Sequence, residues 1–173
     1  MALARGTGVA GAEVVELEAT NNDGVTDPYR QPIPMAPRAN LSIDSVATQG
    51  FVVGEAGALR GLHTITAERV TASITAANDL RIRIPAGFNM SWDTTDTSAV
   101  IGGGASAKVS TTVSYEDAGK TLVVDVTSDF IDGDDITVSG LSFASFTAVS
   151  VADNLELEAN NDDVVTATDS QTI

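Results

Sequence analysis

The 173-residue chain contains no cysteine, which excludes both a disulfide framework and a thiolate metal site and leaves the redox compartment open. It has one histidine, His63, so a serine triad or an imidazole metal site would have to be built around that single ring. Alternation in Leu62-His63-Thr64-Ile65-Thr66 sets His63 on the face opposite Leu62 and Thr64, as a partly exposed strand residue. Lysine is nearly missing, with only Lys108 and Lys120, and nine basic against 24 acidic residues leave a formal charge of −15. Nucleic acids and anionic lipids are bound through clustered Lys and Arg, so neither is an expected partner. No uncharged apolar run approaches the length that crosses a bilayer, and membrane insertion is not expected. Met1–Val15 is a poor secretory signal, because Gly6, Gly8, Gly11 and Glu13 interrupt its apolar residues. Either a signal has been removed or the sequence is an excerpt of a longer chain.

Catalytic patterns are equally scarce. Gly102–Gly104 is followed by no phosphate-binding lysine and opens no helix. Asp93 and Asp96, just after Trp92, come nearest to the carboxylate pair of a glycosidase. Pairs of this kind arise readily in a chain with sixteen aspartates, and Trp92 at a strand end reads as a core plug. The expectation is a protein that is not an enzyme.

What the chain does contain is a copy of its own end. Val15–Ile33 aligns without a gap on Leu155–Ile173, and ten of nineteen positions are identical. They are Glu16/Glu156, Leu17/Leu157, Glu18/Glu158, Ala19/Ala159, Asn21/Asn161, Asp23/Asp163, Val25/Val165, Thr26/Thr166, Gln31/Gln171 and Ile33/Ile173. Upstream, the same offset of 140 aligns Thr7 with Thr147, Val9 with Val149 and Ala12 with Ala152. A fixed offset of domain size marks a tandem array. Residues 34–173 then form one unit, and residues 1–33 are the closing strands of a preceding unit or a strand-exchange segment. Three prolines in Gln31–Arg38 mark a stiff, extended linker between them.

Alternation dominates the rest. Leu80, Ile82 and Ile84 alternate with arginines, Val109 to Tyr115 alternate with Ser and Thr, and Leu122-Val124-Val126, Ile136-Val138 and Leu155-Leu157 continue the pattern. Period two with β-branched residues predicts half-buried strands. Further strands are predicted at 41–46, 50–53, 62–66, 70–75, 88–92, 98–101 and 146–151. Gly, Asn and Asp turns separate them, and no dozen residues hold a 3.6 period. The predicted fold is all-β, an antiparallel β-sandwich in preference to a closed barrel.

Calcium is the cofactor this composition would suit, because hard cations take oxygen ligands from flexible Asp- and Asn-rich loops. The candidate ligands are Asn21, Asp23 and Asp27 in the first copy and Asn161, Asp162, Asp163 and Asp169 in the second. Asp129–Asp135 is a further acidic cluster. None has the twelve-residue spacing of an EF-hand loop, and the same residues also read as solvated turns. Leu17 and Leu157 are expected to face inward on equivalent strands, with Glu16, Glu18, Glu156 and Glu158 turned to solvent or an interface. Val15, Leu17, Val25, Leu155 and Leu157 are the apolar anchors expected where units meet.

The run Ile136–Phe143, followed by Leu155–Ala159 and Asn161–Thr168, resembles the tandem immunoglobulin-like or cadherin-like repeats of large bacterial and archaeal surface proteins. That resemblance implies a β-sandwich module in a stalk, sheath or adhesin, outside the cell. The expected role is a structural unit that assembles head to tail, with copies of itself or adjacent repeats as partners. An adhesin repeat that binds a glycan or protein, and a virion or phage surface protein, are the alternatives.

Overall fold

A computed structural model describes residues 41–55 and 74–173, with 14–15, 33–34, 58–59 and 63–66 described as strand backbone. The chain divides into two compact units, Met1–Arg38 and Ala39–Ile173. In the first, β1 (Val14–Val15) pairs antiparallel with β2 (Ile33–Pro34), Val15 standing opposite Ile33. Leu17, Val25, Asn21, Asp23 and Asp27 lie outside the described residues, as do Glu16 and Glu18.

The second unit is all-β and antiparallel. Its strands are β3 (Ser42–Ser45), β4 (Ala58–Leu59), β5 (His63–Thr66), β6 (Leu80–Arg83), β7 (Ser91–Trp92), β8 (Val100–Gly102), β9 (Val109–Glu116), β10 (Thr121–Val126), β11 (Asp135–Ser139), β12 (Ser142–Ala144), β13 (Asn154–Glu158) and β14 (Ala167–Thr172). Two single 3-10 turns, Ser106–Lys108 and Asp117–Gly119, are the only helical residues among those described. One layer runs β14-β13-β6-β10-β9 and the other β3-β5-β11-β8. A short sheet, β4-β12-β7, repeats the order of β5-β11-β8, each of its strands being the chain neighbour of its counterpart there. The kink between β11 and β12 is Gly140, at φ +81°, where a Cβ would lie 3.0 Å from Val100 Cγ2. Only glycine holds that backbone against its neighbour without strain.

Alternation builds the core. Leu80, Ile82, Leu122, Val124, Leu155 and Leu157 from one layer meet Ile43, Ile136 and Val138 from the other, all essentially without solvent exposure. Trp92 plugs the end of the core at 1% exposure. The described residues of this cluster run from Leu41 to Ile173, within the second compact unit.

Both pairs of facing edges are seamed. On one side Ser98 bridges to Thr112, flanked by Ala99 N–H to Thr111 O at 2.8 Å and Val113 N–H to Thr97 O at 3.0 Å. On the other, Gln49 N–H donates to Thr172 O at 3.0 Å and Asp169 reaches across to Ser45. The arrangement is a sandwich closed toward a barrel, which leaves neither layer an open edge at these seams.

The register also fixes where the chain enters and leaves. Ser42 is paired with Thr66, and Thr66 with Asp135, at the lower end of the unit. Ile173 lies at the upper end with Gln49, Phe51 and Phe88. Thus β3 and β14 run side by side in the same direction, Ser45 beside Asp169 and Gln49 beside Thr172.

Candidate functional site

The upper end carries a cleft of about 250 Å³ between two loops that the alternation pattern predicts as strands, 50–53 and 146–151. Each loop is pinned by its main chain: Gly54 N–H donates to Phe146 O at 2.8 Å, and Thr147 N–H to Asn89 O at 3.0 Å. Asn89 returns its own N–H to Ser150 Oγ at 2.9 Å. Phe51 stacks on Phe146 at 5.0 Å and meets Phe143 edge-on at 5.6 Å. Phe143 in turn lies 4.3 Å from Trp92, so an aromatic file leads from the cleft into the core.

The floor is held by a partly buried cation. Lys120 Nζ donates to Met90 O at 2.5 Å and also to Phe88 O. Burial pushes its pKa below the usual lysine value. Among the described residues none that lines the cleft is charged, in a chain of net charge −15. Meanwhile Val149 on its rim is 85% exposed and Val53 is 49% exposed. The sequence signal for this site is Phe51-Val52-Val53, an apolar run that does not alternate.

Of the residues expected at an interface, only Leu155 and Leu157 have described side chains. Leu155 and Leu157 point into their own core and are fully buried, because β13 is an interior strand between β14 and β6. Val15 falls in β1, described as backbone only. Glu158, expected to face solvent or an interface, is buried within its own unit. The β13–β14 connection covers it: Asp163 N–H donates to Glu158 Oε1, and Arg83 Nη1 to Oε2, each at 3.0 Å. Glu156 remains half-buried.

Among the described residues the expected cation ligands Asn161, Asp162, Asp163 and Asp169 are not brought together, and Asn21, Asp23 and Asp27 lie outside the described residues. Asn161, Asp162 and Asp163 are exposed on the β13–β14 loop, where Asp162 Oδ1 accepts from Val164 N–H at 3.1 Å. Asp163 Oδ1 stands 3.7 Å from Arg83. Asp169 is buried on β14, accepting from Ser45 N–H at 2.9 Å, Gln171 N–H at 3.0 Å and the Ser45 hydroxyl. It works as a clasp between the layers. Among the described residues no group of three or more His, Asp or Glu side chains is placed to hold a metal ion.

The carboxylates of Asp93, Asp96 and Asp134 fasten turns and loops. Asp93 accepts from the Thr95 hydroxyl at 2.7 Å and the Thr95 N–H at 3.0 Å, which lowers its pKa. Asp96 Oδ1 accepts from Ser98 N–H at 3.4 Å, so the two carboxylates cap successive turns. In the Asp129–Asp135 cluster, Lys108 Nζ donates to Asp134 at 2.6 Å and to Asp129 O at 3.0 Å, and that lysine holds the Asp134 pKa below the usual range. No family model, curated protein or solved structure matches the chain. Among the described residues no helix is long and apolar enough to cross a membrane.

Proposed function

We propose that the chain is a non-enzymatic structural module of a tandem array, immunoglobulin-like in build, joined end to end with further copies and carried on a cell surface. The observation that carries this reading is where the repeat identities fall. The second-copy residues shared with residues 15–33 include the positions that make the β13–β14 hairpin work. Leu157, Ala159 and Ile173 are buried, and Glu158 and Asp163 both meet Arg83. Thr166 Oγ1 accepts from Ala159 N–H at 3.3 Å, and Gln171 accepts from Thr48 at 3.2 Å. A chance or compositional repeat would not select packing, ion-pair and hydrogen-bonding positions together.

Pairing gives further support. Val15 stands opposite Ile33 in the first copy, and in the second Asp153 and Ile173 exchange main-chain hydrogen bonds of 3.3 and 2.8 Å. The same two segments pair antiparallel in each, two residues apart in register. An incoming strand at the lower end and an outgoing one at the upper end suit serial connection.

The test is electron microscopy and light scattering of the full chain across a concentration series, beside residues 39–173 alone. End-to-end oligomers from the full chain, with a folded monomer from 39–173, are expected. A full chain that stays monomeric at every concentration would overturn the reading, whether or not 39–173 folds.

A further inference from the structure

We infer that the aromatic cleft at the upper end is the docking site for the proline-rich linker Pro34–Arg38 of a neighbouring copy. The inference rests on the tandem reading above and names the contact that would join its units. Position is the first ground. Ile173 lines the cleft, and Ile33 is its counterpart at the offset of 140. Ile33 leads directly into Pro34-Met35-Ala36-Pro37-Arg38, so a linker of this kind leaves a unit beside its cleft.

Chemistry is the second ground. Phe51, Phe88 and Phe146 line an uncharged groove, and aromatic-lined grooves accept proline-rich segments because the extended polyproline conformation is already ordered before binding. Met35 between the prolines is a flexible apolar filler for an irregular wall. Docking would also cover Val149 and Val53, which stand exposed on the rim.

Charge is the third. Arg38 and Arg30 flank the segment 31–37, which carries no charge of its own. Asp153, exposed and tied by its main chain to Ile173, lies at the same rim and is the natural counter-charge of Arg38. Such a short segment would bind weakly by itself, but tethering in an array supplies an effective concentration on the order of millimolar.

The experiment titrates residues 39–173, a compact unit by themselves, with a peptide of residues 31–40, following methyl resonances by NMR. Shifts confined to Val53, Val149 and Ile173 are expected, saturating at millimolar peptide or below. Val149→Asp, a substitution at an exposed site, should weaken binding roughly tenfold, as should replacing Pro34 and Pro37 of the peptide by alanine. Val53→Ser serves as a second variant if Val149→Asp disturbs folding. No shift at the cleft by several millimolar, or shifts located elsewhere, overturns the inference. The same substitution in the full chain separates the two ideas. Oligomers that persist in Val149→Asp sink the docking site and leave the module standing. Peptide binding in a chain that never oligomerises keeps the docking site and sinks the module.

Discussion

A phenol that donates to a main-chain carbonyl gives up that bond when it ionises, and Tyr115 donates to the carbonyl of Asp96. Burial, reinforced by the carboxylates of Asp96 and Asp93, pushes its pKa up to about 12 from the ordinary 10.0. A folded pKa raised above the unfolded one favours the neutral form. The stability it contributes is fully present below pH 10 and is lost as pH rises through about 12. Alkaline titration by phenolate absorbance should therefore show one of the two tyrosines ionising near 12. Tyr115→Phe should remove that step and flatten the alkaline loss of stability. A Tyr115 step well below about 12 would show that burial and the neighbouring carboxylates do not hold this phenol neutral. The two lysines are each spent as a fastener: Lys108 ties down 129–134 and Lys120 ties down 88–90.

Among elements, the β9–β10 turn holds the least comfortable backbone. Asp117, Ala118 and Gly119 succeed one another at φ of 52°, 55° and 84°. Glycine suits that region, whereas Ala118 carries a Cβ into it without the local hydrogen bonding an aspartate can offer. Ala118→Gly should accordingly stabilise the unit by about 0.5–1 kcal/mol in denaturant unfolding. A destabilisation of that size would show that the alanine methyl contributes packing that outweighs its strain. Much of the remaining architecture was legible from period two alone: β6, β9, β10, β11 and β13 stand where the alternation put them. Trp92 is the core plug that its position suggested. The pattern failed in two physical situations. Strand β14 reads Ala-Thr-Asp-Ser-Gln-Thr and is held by side-chain and main-chain hydrogen bonds rather than an apolar face, so hydrophobicity could not announce it. Conversely, Phe51-Val52-Val53 and Phe146–Val151 have strand composition but are tied to other loops, and those ties are long-range hydrogen bonds no local pattern encodes. Of the cleft, only the run Phe51-Val52-Val53 is legible in the sequence, because its pairing with the second loop is one of those long-range ties. Glu158 escapes the alternation rule because an outward face of a strand can be roofed by the connection after it.

For the molecule as a whole, the important relation is between β3 and β14, neighbours that run in the same direction with the chain arriving at the foot of one and departing from the head of the other. Pulled by its two ends, the unit would be loaded along that seam, with β3 drawn one way and β14 the other. Ser45–Asp169, Thr48–Gln171 and Gln49–Thr172 would then bear the load together in shear instead of parting one by one like a zipper. Resistance to stretching is a property of the unfolding barrier, not of equilibrium stability. Single-molecule pulling on residues 39–173 should give one sharp rupture per unit. Asp169→Ala, which strips a buried acceptor from two main-chain donors, should lower that rupture force and cost about 2–3 kcal/mol at equilibrium. An unchanged force in that variant would place the mechanical barrier elsewhere. If the barrier lies at the seam, the fold is a tension member: strength along its length resides in one polar clasp between its first strand and its last.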